Sequence, residues 1–190
     1  MNFNLPNILT WLRIVSIPLL IMVFYTPLGL QEKEINYLAT FIFVTAAVTD
    51  WIDGWLARKW NQTSPFGAFL DPVADKLMVC AALVALVDLE RVSPIIGIII
   101  IGREITISAL REWMMQVGSK HGLKVNWLGK AKTVGQMVAI PCLIFDGILF
   151  FDFLNTREIG EWLIFLAAFL TVISMINYLY VATIELREKF

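Results

Sequence analysis

An all-α polytopic membrane protein, six transmembrane helices around a metal site that faces the cytoplasm, is the fold class the sequence predicts. Three observations carry this expectation. Hydrophobic residues make up 58% of the 190 and charged residues only 16%, against roughly 25% charged in soluble domains, so the chain suits lipid better than water. The apolar residues gather into six runs of about the length a bilayer demands: 8–29, 36–58, 66–88, 94–117, 131–151 and 159–183. Inside those runs, carboxylates recur at helical spacing between Asp50 and Asp75, which lipid tolerates only where something neutralises them.

Met1 to Asn7 reads as a short interfacial lead-in, with Pro6 setting the turn. It lacks the basic stretch and small-residue cleavage site of a signal peptide, so the first run is expected to stay in place. Asn7, Thr10 and Arg13 fall on one face of that first helix, either lining an entrance for substrate or packing.

The second run ends in a stripe. Asp50, Asp53, Gly54 and Ala57 lie at i, i+3, i+4 and i+7, with Arg58 next to them. After a break near Asn61, Ser64 suits an N-cap and Pro65 a first helical residue. Gly67, Asp71 and Asp75 then recur every fourth residue on one face of the third helix. An antiparallel hairpin of the two helices would bring both carboxylate pairs to similar depth. Each carboxylate costs roughly 2.5–3.5 kcal/mol at the centre of a membrane helix, and four together repel, so the stripe calls for cations. Gly54 and Ala57 leave room beside the acids, and Arg58 offers a planar fork for phosphate oxygens. Carboxylates holding hard divalent cations, which in turn hold a diphosphate, belong to phosphoryl and phosphatidyl transfer.

The fourth run carries Arg103 and Arg111, eight residues apart and roughly on one side, with Glu104 and Glu112 beside them. One reading is plain intramembrane ion pairing. The other is a phosphate pocket, completed by Lys130 and Lys132 at the start of the fifth helix, for an anionic second substrate. The loop before it holds the single histidine, His121, which receives no role. Phe150 to Phe153 and the Leu163–Leu170 stretch read as lipid-facing or packing surface. Ser174, Asn177 and Tyr178 on the sixth helix are expected to hydrogen-bond across the bundle. Cys80 and Cys142 sit in apolar runs as small packing residues rather than a disulfide.

No repeat, linker or low-complexity segment divides the chain, so residues 1–190 read as a single domain. A net charge of −1 with no basic block gives nucleic acid nothing to bind. Lysine and arginine set the orientation. Arg58, Lys59, Lys120, Lys124, Lys130, Lys132, Arg187 and Lys189 fall on one side, against Lys33, Arg91 and Arg157 on the other, which puts both termini in the cytoplasm. Trp11, Trp60, Trp113, Trp127 and Trp162 lie near span ends, as interface anchors do.

The order Asp50, Asp53, Gly54, Ala57, Arg58, Gly67, Asp71, Asp75 resembles the signature of the CDP-alcohol phosphotransferase family at all eight fixed positions. A chance match is about one in 10^10 per starting point, at roughly one in twenty per residue. Beyond the signature, the segments around Asn7, Thr10 and Arg13, from Arg103 to Glu112, and from Gly129 to Thr133 are similar to bacterial members that make phosphatidylglycerophosphate. The resemblance thins after about Asp146. It implies that Asp50, Asp53, Asp71 and Asp75 hold two divalent cations, Mg²⁺ or Mn²⁺, and that Asp75 is the base. It implies a CDP-diacylglycerol site formed by Gly54, Ala57, Arg58 and Gly67 with Asn7, Thr10 and Arg13. Arg103, Arg111, Lys130 and Lys132 would bind glycerol 3-phosphate. A homodimer in the bacterial inner membrane is the family's usual state.

Two other readings stay open on the residues. Within the family, the residues also admit inositol phosphate, serine or a lipid as the acceptor. From another class, intramembrane carboxylates beside Arg and Lys suit a membrane cation transporter. A transporter would more often show matching breaks in two halves, and Pro18, Pro72 and Pro141 do not pair in that way.

Overall fold

The computed structural model describes residues 5–27, 29–60, 65–116, 127–149 and 154–187. Six helices run through them: α1 Leu5–Tyr25, α2 Glu32–Trp60, α3 Pro65–Asp88, α4 Pro94–Gln116, α5 Trp127–Phe145 and α6 Thr156–Arg187. Pro65 opens α3 as its first residue, where the missing N–H is no loss because no helical carbonyl awaits it. Ser64, His121 and the Phe150–Phe153 stretch lie outside the described residues.

The fifth helix departs from expectation. It begins at Trp127 and ends at Phe145, six residues before the apolar run does. Asp146 then takes a left-handed φ of 43°, and the chain pairs back on itself as a short antiparallel ribbon, Ile148 opposite Asn155 and Leu149 opposite Leu154. The Thr156 hydroxyl closes the ribbon by donating to the Gly147 carbonyl at 2.7 Å. Apolar composition alone cannot separate a helix end from a strand in such a stretch.

α1 packs on both α2 and α3, α5 packs along α6, and α4 lies on α6. Among the described residues, α2 and α3 do not form a closely packed hairpin: α1 stands between them. The core fills the half of the bundle away from the acidic stripe. There Leu20, Phe43, Leu83, Leu86, Ile140, Leu143, Ile144 and Ile164 are all but fully buried. Gly160 on α6 lets this half close, since a Cβ there would lie 2.6 Å from Leu143 Cγ on α5.

Arg91 is not a solvated loop cation, as its place between two spans suggests. It is 5% exposed and ties three elements together. Its guanidinium donates to Asn36 Oδ1 at 3.0 Å and to the carbonyls of Leu143 and Ile144 at 3.3 and 2.9 Å. Nε lies 3.2 Å from Asp146 Oδ2. Those carbonyls belong to the last turn of α5 and lack helical partners, so a cation there satisfies both hydrogen bonding and the helix dipole.

The distribution of polarity is inverted relative to a soluble protein. Phe41, Trp51, Ile98 and Trp162 are 68%, 74%, 72% and 75% exposed, while Arg13 and Lys132 are 1% and 2% exposed. An apolar exterior around a charged interior is what lipid selects. α2 over Glu32–Ile52 and α6 over Thr156–Ile184 are long and apolar enough, by length and composition, to cross a membrane. Shorter apolar stretches run over Thr10–Tyr25 and Lys132–Phe145. In α3 and α4 the apolar windows are interrupted by Asp71, Asp75, Lys76, Arg103 and Glu104, the residues that build the site. The protein is a helical membrane protein.

Candidate active site

α1, α2 and α3 meet at one side chain. Arg13, half-way along α1, directs Nη1 to Asp50 Oδ1 on α2 at 2.5 Å and to Asp71 Oδ1 on α3 at 2.8 Å. Arg13 itself is sealed from solvent, whereas the side chains of Asp50 and Asp71 remain 32% and 43% exposed. Asp50 and Asp71, one from each half of the signature, are thus gathered through the Arg13 guanidinium on α1 and not by direct packing of an α2–α3 hairpin. A buried arginine needs carboxylates, and each carboxylate keeps a second oxygen beyond the one Arg13 engages. Thr10, one turn before Arg13, is buried on the same helix.

Asp53, Gly54, Ala57 and Arg58 all lie on α2, and Asn7 on α1, but their side chains fall outside the described residues, as does that of Lys130 on α5. Gly67 sits one turn before Asp71 on α3 and is partly buried. Among the described residues no three acidic, histidine or cysteine side chains cluster as a metal site. The donor set nevertheless fits a hard divalent cation. Asp50 and Asp71 present carboxylate oxygens that already converge on one positive charge, and oxygen is the ligand such ions take.

Asp75, one turn beyond Asp71, faces a different neighbourhood. It lines a cavity of about 220 Å³ together with Lys76, Arg103, Glu104, Arg111, Lys132 and Tyr178. Three of the four cations expected to hold an anion therefore share a cavity with the last acid of the signature. Their charges are not equivalent. Glu104 Oε1 accepts from Arg103 Nη1 and from Lys132 Nζ, both at 2.7 Å. The ion pairs of the Arg–Glu pattern are therefore present, and their residues line the cavity. Arg111 has no carboxylate partner among the described residues; its guanidinium lies over the Tyr178 ring, 5.8 Å from the centroid.

The sixth helix departs from the hydrogen bonds expected of it. Ser174 donates to Thr171 O within its own helix at 2.9 Å, and Asn177 points outward. Tyr178 does reach across the bundle, with its ring. Two contacts were not read from the sequence, the pairing of Glu104 with Lys132 as well as Arg103, and the Tyr178 ring beneath the arginines. For Glu104 a signal was available in its place next to Arg103 on a buried face.

The arrangement defines a class. Carboxylates suited to divalent cations adjoin a cavity lined by Arg103, Arg111 and Lys132 inside a helical membrane bundle, and a family model described as CDP-alcohol phosphatidyltransferase matches residues 3–173. The chain belongs to that family, whose members generally depend on divalent cations. Among named relatives, the CDP-diacylglycerol–glycerol-3-phosphate 3-phosphatidyltransferase of Haemophilus influenzae is 48% identical over 185 residues, 96% of this chain and 95% of its own. The proteins of the same name from Shigella flexneri and Escherichia coli K12 are each 42% identical over the full length of both chains. Family membership sets the transporter reading aside.

Proposed function

We propose that the protein transfers the phosphatidyl group of CDP-diacylglycerol to sn-glycerol 3-phosphate, forming phosphatidylglycerophosphate and releasing CMP in phospholipid biosynthesis. The observation that carries this reading is the shared cavity of Asp75, Arg103, Arg111 and Lys132: the acid that would take a proton adjoins the cations that would hold an anionic acceptor. The names of the relatives point to the same two substrates.

Asp50, Asp53, Asp71 and Asp75 would hold two divalent cations, Mg²⁺ or Mn²⁺. When bound, these ions neutralise the diphosphate and the charge that develops on the leaving CMP. The chain's own residues do the rest. Arg13 fixes Asp50 and Asp71 in register, so that ligand oxygens are oriented before substrate arrives. Gly54, Ala57, Arg58 and Gly67, with Asn7 and Thr10, form the cradle for the cytidine diphosphate. Arg103, Arg111, Lys130 and Lys132 hold the acceptor's phosphate, with Arg offering paired donors and Lys a point charge. The acceptor hydroxyl attacks the phosphorus that bears diacylglycerol, the bond from that phosphorus to the bridging oxygen breaks, and CMP departs. Asp75 takes the hydroxyl proton.

The setting follows from the same reading. The whole chain, 1–190, acts as one domain with six membrane spans in the bacterial inner membrane, both termini in the cytoplasm where a nucleotide-linked lipid presents its headgroup. Burial of Arg91 leaves fewer free cations on the outer side, in line with the positive-inside rule. A homodimer is the assembly the family resemblance supports.

Arg111 gives the direct test of the acceptor pocket, because its removal leaves no buried carboxylate without a partner. Arg111→Ala should raise the KM for glycerol 3-phosphate at least about tenfold, roughly 1.4 kcal/mol. The KM for CDP-diacylglycerol should stay within a few-fold. CMP release is measured against each substrate in detergent micelles. Equal damage to both KM values would make Arg111 structural and leave the acceptor unassigned.

A further inference from the structure

Tyr178 is a buried polar group of the cavity that the mechanism above does not use. Tyr178 on α6 is 4% exposed and lines the cavity beside Asp75. Its hydroxyl is fully buried, with no hydrogen-bond partner among the described residues. Its ring supports two cations at once: the guanidinium carbons of Arg103 and Arg111 lie over it, 5.9 and 5.8 Å from the centroid.

Two guanidiniums near one ring repel each other, and the negative face of the ring offsets that repulsion without neutralising either charge. Glu104 compensates Arg103, but Arg111 keeps its charge for whatever enters the cavity. A buried hydroxyl left unpaired is unfavourable. A phenol donates one hydrogen bond and can accept others, and its O–H needs an acceptor. Beside two arginines and a lysine, the acceptor that fits is an anionic oxygen.

We propose that Tyr178 is a specificity-determining residue of the acceptor subsite. Its ring holds Arg103 and Arg111 facing the cavity, and its hydroxyl donates to a phosphate oxygen of the acceptor. The proposal rests on the reading that this cavity receives a phosphorylated alcohol. The alternative is ordinary cross-bundle packing, in which a water satisfies the hydroxyl and the ring merely fills space.

Two variants separate these cases in purified full-length protein. Tyr178→Phe keeps the ring and removes only the donor. It should raise the KM for glycerol 3-phosphate about tenfold, the lower end for a hydrogen bond to a charged group, with the KM for CDP-diacylglycerol within about twofold and kcat reduced less. Its unliganded Tm should be unchanged or higher, and the rise in Tm that glycerol 3-phosphate confers on the wild type should shrink. Tyr178→Leu should raise the same KM further, because Arg103 and Arg111 lose their support as well. A Phe variant with the wild-type KM for glycerol 3-phosphate would overturn the proposal. So would a matching rise in both KM values, or a fall in unliganded Tm, which would mark the hydroxyl as structural. If the wild type uses free glycerol as well as glycerol 3-phosphate, the acceptor reading itself has failed, and that is seen before any variant is made.

Discussion

Asp71→Ala should abolish turnover. Asp71 shares the Arg13 guanidinium with Asp50, so its loss removes a carboxylate and releases one side of the clamp that fixes the other. A drop of at least about 10²–10³-fold follows from removing one pre-organised electrostatic group, and loss of cation binding should deepen it. The bundle should survive, because Arg13 keeps Asp50 as a partner and the Asp71 side chain is 43% exposed. Two measurements check this: CMP release, and retention of Mn²⁺ by the purified protein in the presence of CDP-diacylglycerol. Both should fall together. A variant that still turns over at the wild-type rate would remove Asp71 from the metal site.

Asp75→Asn is expected to act more narrowly. Asparagine keeps the shape and one oxygen but cannot take up the acceptor's proton, so turnover should fall by the ~10²–10⁴-fold of a lost general base. Nucleotide binding should persist better than in Asp71→Ala, since Asp71 and Asp50 stay held by Arg13. The comparison is a ratio of two readouts, turnover and binding of CDP-diacylglycerol. Near-normal turnover in the Asn variant would show that the proton leaves by another route.

The sequence made the helices and the chemistry legible for different reasons. Six apolar runs are long, and long runs announce themselves, so all six helices appear, with α3 starting at Pro65 and α4 at Pro94. The four acids stand out because carboxylates in apolar runs are rare and unfavourable. What could not be read is which helix stands next to which. Helical periodicity reports the face a residue shares with its own neighbours along one helix. It says nothing of the order of helices in the bundle, so α1 between α2 and α3, and Arg13 between Asp50 and Asp71, appear only in three dimensions. The same blindness hid Arg91, whose position between two apolar runs looks solvated although it is buried among α5 carbonyls. Tyr178 was expected to hydrogen-bond across the bundle, and the use of its ring beneath Arg103 and Arg111 could not be read from its place on one helix.

The central claim is that one site joins a cation-dependent acidic centre to a pocket for an anionic acceptor. The most direct measurement is CMP release by purified protein from CDP-diacylglycerol at saturating Mg²⁺ or Mn²⁺, with glycerol 3-phosphate, with free glycerol and with neither, each repeated in excess EDTA. The expected result is rapid release with glycerol 3-phosphate alone, very little with glycerol or without acceptor, and none in EDTA until cation is restored. Equal release with glycerol and glycerol 3-phosphate, or full turnover in EDTA, would contradict the account.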